Sequence, residues 1–133
     1  VGVGLAAPQI GHSVRLFLVS EEADAIDKGQ ESNPEEKPDW KYFVFINPVI
    51  KKFSSKKIDM AEGCLSVPNI YGLVRRPDKI SVEWFDETGK KHARGFSKFF
   101  ARVIQHETDH IEGILFIDKM HQKLELSKGK SRL

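Results

Sequence analysis

The feature that most constrains this chain is one helical stretch whose polar side chains are those of a metal site. Phe96, Phe99, Phe100, Val103, Ile104 and Ile111 recur at spacings of three and four, the mark of a single apolar helix face. Ser97 stands near the start and Gly113 sits where a left-handed residue commonly closes a helix, so the spacing predicts a helix from about Gly95 to Glu112. Within it lies His106-Glu107-Thr108-Asp109-His110. Residues at i and i+4 share one face, so His106 and His110 can grip one cation while Glu107 beside them handles a proton. The plain alternative for any lone histidine is an ordinary place on a partly buried helix, and the H-E-x-x-H spacing argues against it.

Two imidazoles do not complete a catalytic centre, which normally has three protein ligands and one open position. In proteases that extend the motif to H-E-x-x-H-x-x-G-x-x-H, the last histidine would fall at Phe116, so that route is closed although Gly113 fits its register. The other candidates are His12, His92, His121, Glu125 and Cys64, the only cysteine. Cys64 is the strongest of these, although a lone cysteine is also a common small buried apolar residue.

Three separated stretches together resemble the signature motifs of the peptide deformylase family. They are Gly2-Val3-Gly4-Leu5-Ala6-Ala7-Pro8-Gln9, Glu62-Gly63-Cys64-Leu65-Ser66, and Gln105 to Gly113 around the H-E-x-x-H pentapeptide, and they occur in the family's order. The resemblance runs from the first residue to about Asp118. It implies that Cys64, His106 and His110 bind one divalent metal ion, with water in the fourth position. Such a donor set suits iron, zinc, nickel or cobalt, and Fe(II) is the metal the family suggests. Glu107 would take the proton of the water and deliver it to the departing amine. The side-chain amide of Gln9 and the backbone N–H of Leu65 would hydrogen-bond the oxyanion, at about 3 to 4 kcal/mol for each donor. Glu62 and Arg76 resemble a pair that braces the cysteine-bearing segment, and Asp109 would orient a neighbouring group.

The implied reaction is hydrolysis of the formyl group from the N-formyl-methionine end of new polypeptides, releasing formate. Gly2 and Gly4 can adopt backbone angles closed to other residues and let an extended substrate lie close. Val3, Phe99 and Val103 are candidates for the methionine pocket, or else core. Two readings from other classes remain to be separated. A small metallopeptidase would need His121 or Glu125 as ligand in place of Cys64, and a metal-stapled binding domain would need a fourth protein ligand closing the centre.

With 133 residues, 40% hydrophobic and 30% charged, the chain can bury one core and not two. Residues 1–133 therefore read as one deformylase-like domain. Val1 begins on top of the first motif, whereas family members usually carry a leading segment, so a missing N-terminal segment is expected. No apolar run approaches the roughly 20 residues that span a bilayer, and nothing resembles a signal peptide. A single proposed thiolate ligand suits a reducing compartment, bacterial cytoplasm or an organelle. No membrane or specific nucleic-acid partner is expected, and a monomer is.

The expected fold is α+β, with short antiparallel strands wrapped around the central metal-binding helix and a short C-terminal helix from Lys119, fraying after Ser127. Strands are expected near Val14 to Val19, Tyr42 to Ile46 and Ile58 to Val67. A hairpin of Ile80 to Phe85 and Lys91 to Phe96 should turn at Asp86-Glu87-Thr88-Gly89-Lys90. Residues 21–40, dominated by acids from Glu21 to Asp39, read as a mobile surface insertion. Net charge is +2 in spite of that acidic stretch, so the remaining surface is basic. A basic surface would favour transient approach to the ribosome, although an ordinary solvated surface explains it as well.

Overall fold

A computed structural model describes residues 3–29, 39–64, 67–114 and 119–124. Strands β1 (Gly4–Ala6), β2 (Leu16–Ser20), β3 (Tyr42–Phe53), β6 (Lys79–Phe85) and β7 (Lys91–Ser97) form one antiparallel sheet in the order β1-β2-β3-β6-β7. Strands β4 (Lys57–Cys64), β5 (Val67–Pro77) and β8 (Met120–Leu124) form a second, in the order β4-β5-β8. Helix α1 is Glu21–Asp27 and helix α2, the predicted one, is Lys98–Ile111.

Alternation accounts for β6, where Ile80, Val82 and Trp84 point inward and their neighbours outward. These side chains meet Phe17, Phe45, Phe96 and the α2 residues Phe100, Ala101, Val103 and Ile104 in one core. Phe96 stacks on Phe100 with ring centroids 5.0 Å apart, and Phe17 on Phe45 at 4.9 Å. The hairpin turns as expected, with Gly89 in the left-handed region at φ 84°.

Helix α2 is buried almost all round, and its two sides have different work. Phe100, Ala101, Val103 and Ile104 belong to the apolar core. Arg102, Gln105, His106 and Asp109 instead bond to side chains or carbonyls of β4 and β5. The helix thus lies between the five-stranded sheet and the β4–β5 ribbon, and the chemistry faces the ribbon.

Three expectations are corrected. The acidic stretch does not begin as a loop. Glu21–Asp27 is helical, capped by the Ser20 hydroxyl accepting from the Glu22 N–H, with Ala23 and Ala25 buried. Only residues 30–38 of the expected insertion lie outside the described residues. The chain after Lys119 is not a helix at its start, because Met120–Leu124 adds the edge strand β8 to β5. The main-chain groups of the β5 edge supply a partner that an isolated amphipathic segment lacks. Finally, α2 starts at Lys98, and Gly95 remains in β7. The Ser97 side chain makes no capping bond. Asp27 caps the helix from 72 residues away, its two carboxylate oxygens accepting from the Phe99 and Phe100 N–H groups at 3.0 and 2.9 Å.

Candidate metal centre

His106 and His110 project from successive turns of α2, and their Nε2 atoms stand 3.0 Å apart. His106, Glu107 and His110 are all buried and present ligand atoms within 4.8 Å of one another. Two imidazole nitrogens bound at about 2.0–2.1 Å in a tetrahedral centre are about 3.3–3.4 Å apart, so the observed spacing fits one cation after a shift of a few tenths of an ångström.

The orientation of His106 is set by Glu62. Glu62 Oε1 lies 2.8 Å from His106 Nδ1, and Glu62 is completely buried. Burial alone would push this carboxyl up, but hydrogen bonds from Arg76 and His106, and their charges, outweigh it and bring it from 4.5 to about 2. An ionised carboxylate only accepts, so His106 donates through Nδ1, and Nε2 is then the atom that could bind a metal, as in carboxylate–histidine–metal arrangements.

Arg76, on β5, donates to Glu62 through Nε at 2.6 Å and Nη2 at 2.8 Å, a bidentate pair in the interior. Its Nη1 donates to Asp109 at 2.7 Å, and Lys119 Nζ reaches the other Asp109 oxygen at 3.1 Å. Burial depresses the Arg76 guanidinium, but the two carboxylates more than restore it, so it stays charged. The sequence-predicted trio of Glu62, Arg76 and Asp109 is therefore one connected network, and Asp109 is buried rather than a solvated helix residue.

The first motif reaches the same place. Gly4 lies against α2 so closely that an added Cβ would fall 2.7 Å from Glu107 Oε2 and 2.9 Å from Val103 Cγ1. Its φ is not left-handed, so the reason for glycine here is this close approach and not unusual backbone angles. Gln9, in a short 3-10 turn at Ala7–Ile10, accepts the Ala6 N–H at its Oε1, 2.7 Å away. That bond fixes which end of the amide serves as acceptor. Val3 and Val103 are completely buried in the core cluster, and Phe99 is packed against its margin.

Some predicted residues are only partly seen. Cys64 ends β4 in register with Val67, and its side chain lies outside the described atoms. Leu65, Gly2 and Glu125 lie outside the described residues, and His121 is placed by its backbone in β8. His12 is exposed, and His92 bonds Asp86 at the hairpin turn, so neither belongs to the cluster. Arg102 is the residue that sequence reasoning missed. It is 2% exposed and donates to Glu62, to Val74 O and to Ile58 O. A lone arginine inside an apolar helical run, one turn before His106, was the available signal.

The family model described as polypeptide deformylase matches residues 1–125. A peptide deformylase of Chlorobaculum parvum is 44% identical over 122 residues, 92% of this chain and 59% of the relative. One of Treponema pallidum is 43% identical over 122 residues, covering 92% and 65%. This chain thus spans under two thirds of the length of these relatives. A class I type b peptide deformylase from Acinetobacter baumannii, solved with Met-Ala-Ser bound, matches with TM-score 0.73 and 38% identity over 90% of this chain and 70% of that one.

Proposed function

Because this chain belongs to the peptide deformylase family, we propose that it removes the N-formyl group from the formyl-methionine of newly made polypeptides, releasing formate. The observation that carries the reading is the buried His106–His110 pair with Glu107 beside it and Gly4 pressed against Glu107. Bacterial and plastid or mitochondrial relatives agree with a protein-synthesis role in cytoplasm or organelle. Among the described residues no helix is long and apolar enough to cross a membrane.

His106, His110 and, by the motif match, Cys64 hold one divalent cation, Fe(II) in our reading. When bound, the cation polarises the formyl carbonyl and makes water a nucleophile at neutral pH. Glu107 accepts the proton as the water oxygen bonds to the formyl carbon. It returns a proton to the amine nitrogen as the C–N bond breaks, leaving formate and a free amino terminus. Burial of Glu107 keeps bulk water from competing for that proton. The Gln9 amide and the Leu65 N–H donate to the oxyanion, stabilising it by about 3 to 4 kcal/mol each. Gly4 on β1 lies against Glu107, and Gln9 follows five residues later in the same motif, which supports giving the two residues a shared centre.

The Met-Ala-Ser peptide bound by the Acinetobacter baumannii relative suggests the substrate to use. Protein purified without oxygen should release formate from formyl-Met-Ala-Ser in proportion to its bound metal. Decay of that activity in air, with persistence after nickel substitution, would identify iron. Glu107→Gln should retain the metal while turnover falls by about 10²- to 10⁴-fold. Absence of formate from folded, fully loaded protein sinks the reading.

A further inference from the structure

We infer that Arg102 is a positioning residue for the metal centre, acting on the ligand His106 through Glu62. The inference rests on the functional reading above and adds a residue to it.

Arg102, His106 and His110 occupy positions i, i+4 and i+8 of α2, so they line one side of the helix. Glu62 bridges the first two, accepting from Arg102 Nη1 at Oε2 and from His106 Nδ1 at Oε1. Arg76 supplies the remaining bonds, one to each oxygen. The carboxylate therefore accepts four charge-assisted or polar hydrogen bonds, which is about its full capacity.

The two arginines hold Glu62 in different ways. Arg76 reaches it from the neighbouring strand of the ribbon and extends the network to Asp109. Arg102 reaches it from the metal-bearing helix. The same Arg102 guanidinium also donates to Val74 O at 3.0 Å, on β5, and to Ile58 O at 2.8 Å, on β4. One planar group thus ties α2 to both strands of the ribbon and to the carboxylate that orients His106. A residue filling space in a helix interface would be apolar. Desolvation pushes the guanidinium down, and the charge and hydrogen bond of Glu62 oppose it.

Charge leads to the same assignment. Glu62 and Asp109 carry two negative charges in the interior, and Arg76 neutralises one of them. Lys119 also pairs with Asp109, and Arg102 adds its charge at Glu62 itself. Without Arg102, Glu62 loses one of the two bonds at Oε2 and its only fixed link to the helix apart from His106. The carboxylate can then pivot, and His106 loses its fixed aim.

The test measures cobalt affinity by chelator competition, with the visible absorption of the bound ion recorded and folding checked by circular dichroism. Arg102→Met should bind cobalt at least about tenfold more weakly than wild type, with an altered absorption spectrum. In a Glu62→Gln background the same substitution should change affinity less than twofold, because its route of action is gone. Val82→Ala, a cavity in the apolar core on β6, controls for lost stability and should leave affinity unchanged. Should Arg102→Met fail to fold, Arg102→Gln is read the same way, since it keeps donors to the strand carbonyls and withdraws the charged bond to Glu62. Unchanged affinity in the Arg102 variants, full additivity with Glu62→Gln, or an equal loss in Val82→Ala overturns the inference. Formate release by cobalt-loaded wild type alongside any of those results leaves the deformylase reading standing. A wild type that binds no cobalt overturns both.

Discussion

Among the described residues, two histidine–carboxylate pairs are of nearly equal length, and they do different things. Glu62 and His106 are 2.8 Å apart with both side chains essentially inaccessible. Asp86 and His92 are 2.6 Å apart at the β6–β7 turn, with side chains 20% and 35% exposed. In the turn, water and ions screen the charges, and Asp86 acts as a local brace. It accepts from the Thr88 N–H at 2.8 Å and the Lys90 N–H at 3.1 Å, and it supports the hairpin. In the interior the same contact requires two arginines to balance it, and what it achieves is the aim of one ring nitrogen. Distance alone does not distinguish a brace from a ligand-orienting pair. Burial and the count of further partners do.

The largest effect expected is from removing the buried carboxylate. Glu62→Ala leaves Arg76 and Arg102 facing each other without their shared partner, and should destabilise the fold by about 3–5 kcal/mol in urea unfolding. Metal affinity should fall by roughly ten- to a hundredfold in the same variant. A loss below 1 kcal/mol would put the buried pair on the same footing as the exposed one.

Acid should find the same difference. The Glu62 carboxyl sits at about 2 in the fold against 4.5 when free, so the unfolded chain takes its proton first as pH falls. Its stabilisation is therefore complete above about pH 4.5 and is lost between there and about pH 2, amounting to a few kcal/mol. Urea midpoints of metal-free protein should drop over that window, and Glu62→Gln should flatten the drop. A slope that survives in the variant would assign it to other carboxylates. Asp86 is also held well below the ordinary carboxylate range, by the Thr88 hydroxyl and His92, although solvent weakens what that adds to stability.

Two glycines sharpen the contrast. Gly4→Ala must move Glu107 or Val103, which an interior resists, at about 1–3 kcal/mol and with loss of turnover. Gly89→Ala has open space around it and a left-handed φ, so it should weaken the hairpin by about 1 kcal/mol and leave turnover alone. Comparable turnover losses in both would contradict the reading of Gly4 as a spacer for the catalytic carboxylate. The smallest effect belongs to His92→Gln, which should leave metal content and formate release unchanged. A drop in metal content would bring the turn into the centre after all.

What could be read from residues alone was whatever a short window contains. The helical period through Ile111, the turn around Gly89 and the spacing of His106, Glu107 and His110 are local, and apart from the helix start, which falls at Lys98, each was found where expected. The errors also have a common origin. Glu21–Asp27 is polar by composition, yet Ala23 and Ala25 give it a buried face, and its Asp27 serves a helix far along the chain. Met120–Leu124 has a mixed amphipathic pattern, and the vacant side of β5 makes it a strand. Arg102 looked like an ordinary helix residue because its partners, Glu62, Ile58 and Val74, are 28 to 44 positions away.

By itself the sequence determined which groups could do chemistry, since a helix's period puts His106 and His110 on one face wherever that helix sits. Only the tertiary structure decided what those groups became. It packed β1 against α2 closely enough that Gly4 touches Glu107, and it wrapped two arginines from different elements around one buried carboxylate. The physical reason is range. Backbone period acts over a few residues, whereas desolvation and charge balance depend on what the whole fold brings within a few ångströms.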